Sequence, residues 1–399
     1  MKKLSVVIPA YNEEQAIRAI IEKTLAARER LRSEAGLEEL EVIVVNDGSK
    51  DATAKIAGEY SEKKLIQLIS YPDNRGYGAA IQRGFESATG NLLGFLDADG
   101  TCDPLSFIDL MKGMEEAGAD IIVGARLNPG SEMPLTRKIG NIFYRHIVNV
   151  ISNSKVTDIA SGMRIIKKEA LPKLKPLPDG LHFTPAMSVR AILDKGIRIA
   201  EIPIRYKERT GRSKLNVIGD GVRFLKTILE ISFTYKPLRI FGFVGGLFLF
   251  IGFLYGLNPL LHYFRFWNVP EDRIYRLIFI VVAVVSGIQL ILAGLITQAI
   301  TNLVHNYEFE SVIAKFLDRT FYKKLLFFGI FFMVAALFLN HQTILEYAKT
   351  RHISVHWSYV VTGALLILMS LQFITFSIIS RVIIILKEKK RLESEASPS

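Results

Sequence analysis

Four stretches in the second half of the chain stay uncharged for longer than helices in water usually do: Ile240–Leu261, Leu277–Val304, Leu325–Leu345 and Ser354–Ser380. Each is on the scale of the ~20 residues a helix needs to cross a hydrocarbon core. In lipid only helices and closed barrels satisfy their own backbone polar groups, so runs this long read as helical spans. The third holds Asn340, His341 and Gln342, which shortens its apolar core. Basic residues set the expected orientation. With the N-terminal half in the cytoplasm, thirteen Lys and Arg flank the spans inside, from Arg223, Lys226, Lys236 and Arg239 through Lys315–Lys324 to Arg381–Arg391, against five outside. Trp267 and Trp357 fall in the outside loops, where they fit either an interfacial belt or ordinary loop packing.

Two segments beside the spans have amphipathic helical spacing. In Asn216–Tyr235, Val217, Phe224, Ile228 and Ile231 oppose Asp220, Arg223, Lys226 and Glu230. In Asn302–Tyr322, Phe309, Ile313, Phe316 and Phe321 alternate with Glu310, Lys315, Asp318 and Arg319. Such helices lie in the headgroup region or pack on a soluble domain. The expected layout is a cytoplasmic domain over 1–214, an interfacial helix over 215–238, four spans over 239–386 with a cytoplasmic amphipathic segment at 302–324, and a polar tail over 387–399. The apolar run after Met1 is too short for a signal peptide, which keeps the first half in the cytoplasm.

Lys and Arg total 50 against 39 Asp and Glu, a net charge of +11. With a membrane half attached, that balance points to lipid and phosphate rather than nucleic acid. Cys102 is the one cysteine, so neither an intramolecular disulfide nor a cysteine-rich zinc site can form; it reads as a small buried residue.

The first half alternates β-rich runs (Leu4–Ile8, Glu41–Asn46, Leu65–Ile69, Leu92–Leu96, Asp120–Val123) with helical segments such as Glu13–Leu31 and Gly76–Ala88. That order predicts an α/β fold with a mostly parallel sheet, whose ligands bind at the carboxyl ends of the strands. The polar residues cluster there. The first strand runs into Tyr11, Asn12 and Glu13; the second ends in Asn46-Asp47-Gly48-Ser49; the fourth ends in Asp97 and Asp99. Carboxylates spaced by one residue after a buried strand can hold a hard cation together with pyrophosphate oxygens, although D-x-D alone is also an ordinary capped turn.

The ordered set VVIPAYNEE, VVNDGSKDAT, NRGYGAA, LDADG, GAR, DIASGMR and EIPIRYKERTGRSKL resembles the family-2 inverting glycosyltransferases, in the branch of the polyprenyl- and dolichyl-phosphate sugar synthases. The resemblance covers about residues 4–215. It implies a GT-A fold, a nucleotide-sugar donor, a polyprenyl phosphate acceptor and Mg2+ or Mn2+. Pro9, Tyr11, Glu13 and Asp47 would hold the nucleoside, and Asp97 and Asp99 the cation and donor pyrophosphate. Arg209 and Lys214 match a loop that closes on the donor phosphates. Arg126 and Arg137 match residues that meet the lipid phosphate, with Asp158 and Ser161 near the acceptor. The implied partners include membrane lipid and allow a homo-oligomer.

Two departures stand out. Mannose-type members continue the metal motif as D-A-D-L-Q-H-P, whereas this chain reads Asp97-Ala98-Asp99-Gly100-Thr101-Cys102-Asp103-Pro104, leaving Thr101 or Asp103 to replace the glutamine. Asn46 stands where many members carry Asp. Simpler readings remain beside these: Asp47 and Asp51 as helix caps, Asn74-Arg75-Gly76 as a turn, and Arg209 and Lys214 as a basic patch drawn to anionic lipid.

Other functions fit less well. A processive polysaccharide synthase of the same fold carries Q-x-x-R-W, but Phe266 precedes Trp267 and His356 precedes Trp357. The stretch Gly76–Ile81 lacks the third glycine of a dinucleotide fingerprint. No Gly-Lys pair exists for a P-loop. A non-enzymatic flippase or scaffold on a degenerate domain predicts loss of the acidic ligands, yet Asp97 and Asp99 are present.

Overall fold

The structure is a computed structural model that describes residues 2–128, 131–209, 214, 216–267, 274–305, 307, 311–316, 318 and 320–396. The chain divides into two compact units, Met1–Ser232 and Phe233–Ser399.

The first unit carries β1 (Lys3–Ala10), α1 (Ile17–Ala35), β2 (Glu39–Asp47), α2 (Thr53–Glu62), β3 (Gln67–Tyr71), α3 (Tyr77–Ser87), β4 (Leu92–Phe95), α4 (Ser106–Glu116), β5 (Ile121–Ala125), α5 (Leu135–Ser152), β6 (Arg164–Lys167), α6 (Leu171–Leu174), α7 (Phe183–Leu193), β7 (Ile199–Pro203) and most of α8 (Val217–Tyr235). One seven-stranded sheet has the order β3-β2-β1-β4-β6-β5-β7. It is parallel except for β6, which runs antiparallel to both β4 and β5. The expected mostly parallel α/β sheet is therefore present. The strand that breaks the pattern, RIIK, is only four residues long, too short for periodicity to reveal.

Every residue of β1 after Lys3 is buried, as expected of a central strand covered on both faces. Leu4, Val6 and Ile8 join Ile17, Ile20 and Ile21 of α1 in the main core. Element ends shift for local reasons. β3 starts at Gln67 rather than Leu65 because the closing turn of α2 takes Leu65, whose N–H donates to the Tyr60 carbonyl. α1 starts at Ile17 because the Glu13 carbonyl accepts the Ala16 and Ile17 N–H groups in a preceding turn. It ends on Gly36, whose φ of 63° suits a left-handed cap.

The second unit holds the end of α8, then α9 (Pro237–Phe266), α10 (Ile274–Val304), α11 (Ser311–Phe316), α12 (Phe321–Thr350) and α13 (Trp357–Ala396). Among the described residues, four of these helices are long and apolar enough to cross a membrane. They correspond to the four uncharged stretches; α13 starts at Trp357 rather than Ser354, and each helix otherwise runs past its stretch at one end or both, because Lys, Arg and Glu end an apolar run without ending a helix. α9 pairs with α10 and α12 with α13 through small residues. A Cβ on Gly245 would lie 2.7 Å from the Gly287 carbonyl, and the Ser370 hydroxyl donates to the Gly329 carbonyl at 2.7 Å. Small and hydroxyl side chains let helices approach closely where no hydrophobic effect drives them together. The segment at 302–324 is not one amphipathic helix. α10 runs on to Val304, α11 covers six residues, and Ile313 is buried among Ile296, Ala299, Leu325 and Ile383. Phe309, Glu310 and Arg319 lie outside the described residues.

Candidate active site

At the carboxyl ends of β1, β2 and β4 the first unit opens into a cavity of about 500 Å³. Pro9, Tyr11, Glu13, Asp47, Asp97, Asp99, Arg126, Arg137, Arg209 and Lys214 all line it. Residues read from motifs up to 200 positions apart thus share one space.

Asp47 ends β2 and is buried; its two oxygens accept the backbone N–H groups of Arg75 and Gly76, each at 2.8 Å. It pins the turn that starts α3, where Gly76 has φ 111° and a Cβ would lie 2.5 Å from the Asp179 carbonyl. Asp51 is a cap: it accepts from the Thr53 N–H at 3.0 Å and the Glu14 N–H at 3.2 Å. Asn46 accepts from the Ser49 N–H at 3.2 Å and closes the same loop.

Asp97 follows β4. The Tyr77 hydroxyl donates to its Oδ1 at 2.7 Å. Burial and the neighbouring Asp99 carboxylate push Asp97 up to about 7. Asp99 accepts from the Thr101 N–H at 3.1 Å and hydroxyl at 2.7 Å, both on Oδ1, while its Oδ2 lies 3.9 Å from Arg209 Nε. That Nε is buried and has no hydrogen-bond partner among the described residues. Two neighbouring carboxylates and a guanidinium nitrogen without a hydrogen bond among the described residues suit a hard divalent cation plus an anion: the cation would relieve Asp97, and the anion would complete Arg209. No group of three or more His, Cys, Asp or Glu side chains able to hold a metal occurs among the described residues. Thr101 is engaged with Asp99. Asp103 turns away and caps α4 through the Leu105 N–H at 3.0 Å, so it does not line the cavity.

Glu13 Oε1 accepts from Arg209 Nη2 at 3.0 Å and from Lys214 Nζ at 2.7 Å. Lys214 also donates to the Tyr11 and Asn12 carbonyls and sits 5.3 Å from the Tyr11 ring centroid. The residues between, 210–213, lie outside the described residues.

On the other wall, Arg126 closes β5 and pairs with Asp158 through Nε at 2.7 Å and Nη2 at 3.0 Å. Asp158 is fully buried and also accepts from Asn141 Nδ2 at 2.7 Å and from the Arg126 and Ala160 N–H groups. Burial alone would raise its pKa, but the Arg126 guanidinium outweighs it and holds the carboxyl at about 2. Ser161 is equally buried and donates to the Gly124 carbonyl at 2.6 Å. Neither Asp158 nor Ser161 lines the cavity. Asp158 stands behind Arg126, and Ser161 precedes the cavity-lining Gly162, whereas the resemblance placed both near the acceptor. Arg137, on α5, reaches the Tyr206 hydroxyl at 3.4 Å, and Arg126 stacks over the Tyr206 ring at 5.5 Å. Cys102 is buried, and burial together with Asp97 pushes its thiol up to about 12.

The structure adds cavity residues that the motifs did not flag: Tyr77, Asn141, Tyr144, Gly162, Tyr206 and Asp220. Tyr77, Gly162 and Tyr206 sit inside quoted motifs, NRGYGAA, DIASGMR and EIPIRYKERTGRSKL, so position in a motif was the available signal. Tyr144, whose hydroxyl donates to the Gly221 carbonyl at 2.9 Å, joins α5 to α8 and carried no such signal.

A sheet of this topology, with a carboxylate pair and basic residues around one cavity at its strand ends, defines a nucleotide-sugar-type transferase fold. The chain belongs to the family-2 glycosyltransferases, and it is a glycosyltransferase of the polyprenyl-phosphate sugar transferase branch. The model "Glycosyl transferase family 2" matches residues 5–175, and a domain of unknown function (DUF8752) matches residues 237–394. The prophage bactoprenol glucosyl transferase homolog of Escherichia coli K12 is 30% identical over 301 residues, 75% of this chain and 93% of that protein. Dolichyl-phosphate beta-glucosyltransferase ALG5C of Trichomonas vaginalis is 33% identical over 242 residues, 58% of this chain and 71% of its own length. A solved glucosyl-3-phosphoglycerate synthase from Mycobacterium tuberculosis, in complex with Mn2+, UDP and phosphoglyceric acid, is 20% identical over 58% of this chain and 78% of that one, with a TM-score of 0.47.

Proposed function

We propose that the enzyme transfers a sugar from a UDP- or GDP-linked donor to a polyprenyl phosphate, undecaprenyl or dolichyl, with inversion and with a divalent cation, at the cytoplasmic face of a membrane. The observation that carries this reading is α5. One face of this helix supplies Arg137, Asn141 and Tyr144 to the cavity. The opposite face leaves Leu135, Ile139, Phe143 and Val150 exposed at helical spacing, at 70%, 58%, 53% and 65%. Val217, Ile218 and Val222 of α8 are exposed too. A phosphate site flanked by bare apolar helix faces is what a phosphate on a long hydrocarbon chain requires. The names of the bactoprenol and dolichyl-phosphate relatives point the same way.

The chemistry follows from charge placement. A lipid phosphate oxygen is already anionic at neutral pH, so no base has to deprotonate it. The soluble half has His146 and His182 as its only histidines, and neither lines the cavity. Arg126, oriented by its bidentate pair with Asp158, and Arg137 hold the acceptor phosphate behind the anomeric carbon. Arg209 and Lys214 exchange Glu13 for the departing diphosphate and stabilise its charge. A cation held by Asp97 and Asp99 would supply further positive charge to that leaving group. A single displacement inverts the anomeric centre.

The test incubates purified protein with a panel of nucleotide-sugars and undecaprenyl or dolichyl phosphate, reading product mass and anomeric configuration. An α-linked donor should yield a β-linked lipid phosphate. A retained α configuration, or a trapped glycosyl-enzyme, would overturn the mechanism.

A further inference from the structure

Tyr77 is half-buried at the first position of α3 and lines the cavity. Gly78 beside it has no room for a side chain, since a Cβ there would lie 2.1 Å from the Pro178 carbonyl. The Tyr77 ring meets Phe183 edge-on at 6.5 Å, and Phe183 meets Phe95 at 6.0 Å. The ring is thus held against Phe183 of α7, which in turn packs on Phe95 of the sheet. Its hydroxyl has one protein partner among the described residues, Asp97 Oδ1 at 2.7 Å.

The other oxygen of Asp97 is bounded differently. A Cβ on Gly162 would stand 2.2 Å from Oδ2, 2.6 Å from Cγ and 2.7 Å from Oδ1, so only glycine lets the 161–163 backbone lie across the face of the carboxylate. That backbone is itself held. Arg164, buried at 0% exposure, donates through Nε to the Ser161 carbonyl and through Nη2 to the Ile159 carbonyl, both at 3.0 Å. The Asp97 carboxylate therefore has its Oδ1 tied to Tyr77, its flank closed by Gly162, and its Oδ2 without a hydrogen bond among the described residues.

From this arrangement we propose that Tyr77 is a positioning residue that sets Asp97 as a one-oxygen ligand, presenting Oδ2 to the cation, with Gly162 as the backstop that keeps the carboxylate from swinging away. This rests on the metal reading above and assigns to this chain's own residues the orientation of the site. Groups that hydrogen-bond a ligating carboxylate typically govern metal affinity by 10–100-fold.

Tyr77→Phe removes the hydroxyl and keeps the ring that packs on Phe183, so it isolates the hydrogen bond. Mn2+ binding to the full-length protein, followed by electron paramagnetic resonance in the presence of UDP, should weaken by about 10-fold or more. UDP binding in EDTA should stay unchanged. In turnover, the Mn2+ concentration for half-activation should rise by a similar factor, with most of the rate recovered at saturating Mn2+. Gly162→Ala should weaken Mn2+ binding as well. Equal Mn2+ affinity in wild type and Tyr77→Phe would overturn the positioning role while leaving the cation reading intact. Wild-type protein that binds no Mn2+ with UDP present would overturn the cation reading itself, and this inference with it.

Discussion

Asp158→Asn would leave the Arg126 guanidinium largely buried without its counter-charge. Breaking a buried pair in this way costs roughly 3–5 kcal/mol, so the variant should melt well below wild type at pH 7. The pH dependence has a definite sign. The folded carboxyl sits at about 2, below its ordinary value of roughly 3.9. The stability its ionised form contributes is therefore fully present above about pH 4 and is lost as the pH falls toward 2. The melting difference between wild type and Asp158→Asn should narrow over that window; a difference that stays constant would contradict the pairing. Asp99→Ala should lower turnover roughly 100-fold or more while leaving the fold intact, and near wild-type turnover in EDTA would refute the metal role. Asp97, Asp99, Arg209 and Lys214 could be found from sequence because charged residues in spaced motifs have few reasons to be there. Tyr77 and Tyr206 had only their place in a motif to mark them, because an aromatic beside a strand end looks like core until its hydroxyl has a named partner.

At the level of elements, the uncharged stretches and the strand–helix alternation were legible because each repeats over many residues. What escaped was short or two-faced. β6 has four residues and runs against its neighbours. α5 has alanine-poor, amphipathic sequence whose apolar side faces outward, so the usual inference that apolar means buried would have turned it around. Helix pairing in the second unit rests on glycines, which read as interruptions rather than contacts. A Cβ on Gly287 would lie 2.7 Å from Leu249 Cγ and 2.8 Å from the Gly245 carbonyl, whereas one on Gly246 meets nothing within 4 Å. Gly287→Leu should therefore force α9 and α10 apart and destabilise by roughly 1–3 kcal/mol, seen as a lower melting temperature in detergent. Gly246→Ala, the control, should be neutral or slightly stabilising because alanine is the better helix former. Equal melting of the two variants would show that the close approach contributes nothing.

For the molecule as a whole, the decisive question is which side of the membrane carries the chemistry. In the proposed orientation, thirteen basic residues flank the four apolar helices on the side of the N-terminal half, against five on the other. Such a bias orients spans because cytoplasmic loops retain Lys and Arg. With four crossings, the proposed orientation would put the tail after α13 and the segment between α10 and α12 on that same side. Nucleotide-sugars carry a charged diphosphate that does not cross a bilayer unaided, so a cytoplasmic cavity is also where the proposed donor would be met. Cysteine labelling separates the alternatives cleanly, because the native Cys102 is buried. A cysteine replacing Glu310 should resist a membrane-impermeant maleimide in intact cells and react once the membrane is opened. A cysteine replacing Arg351, at the far end of α12, should react from outside. Labelling at position 310 in intact cells would reverse the orientation and place the carboxylates of Asp97 and Asp99 on the side away from the proposed donor.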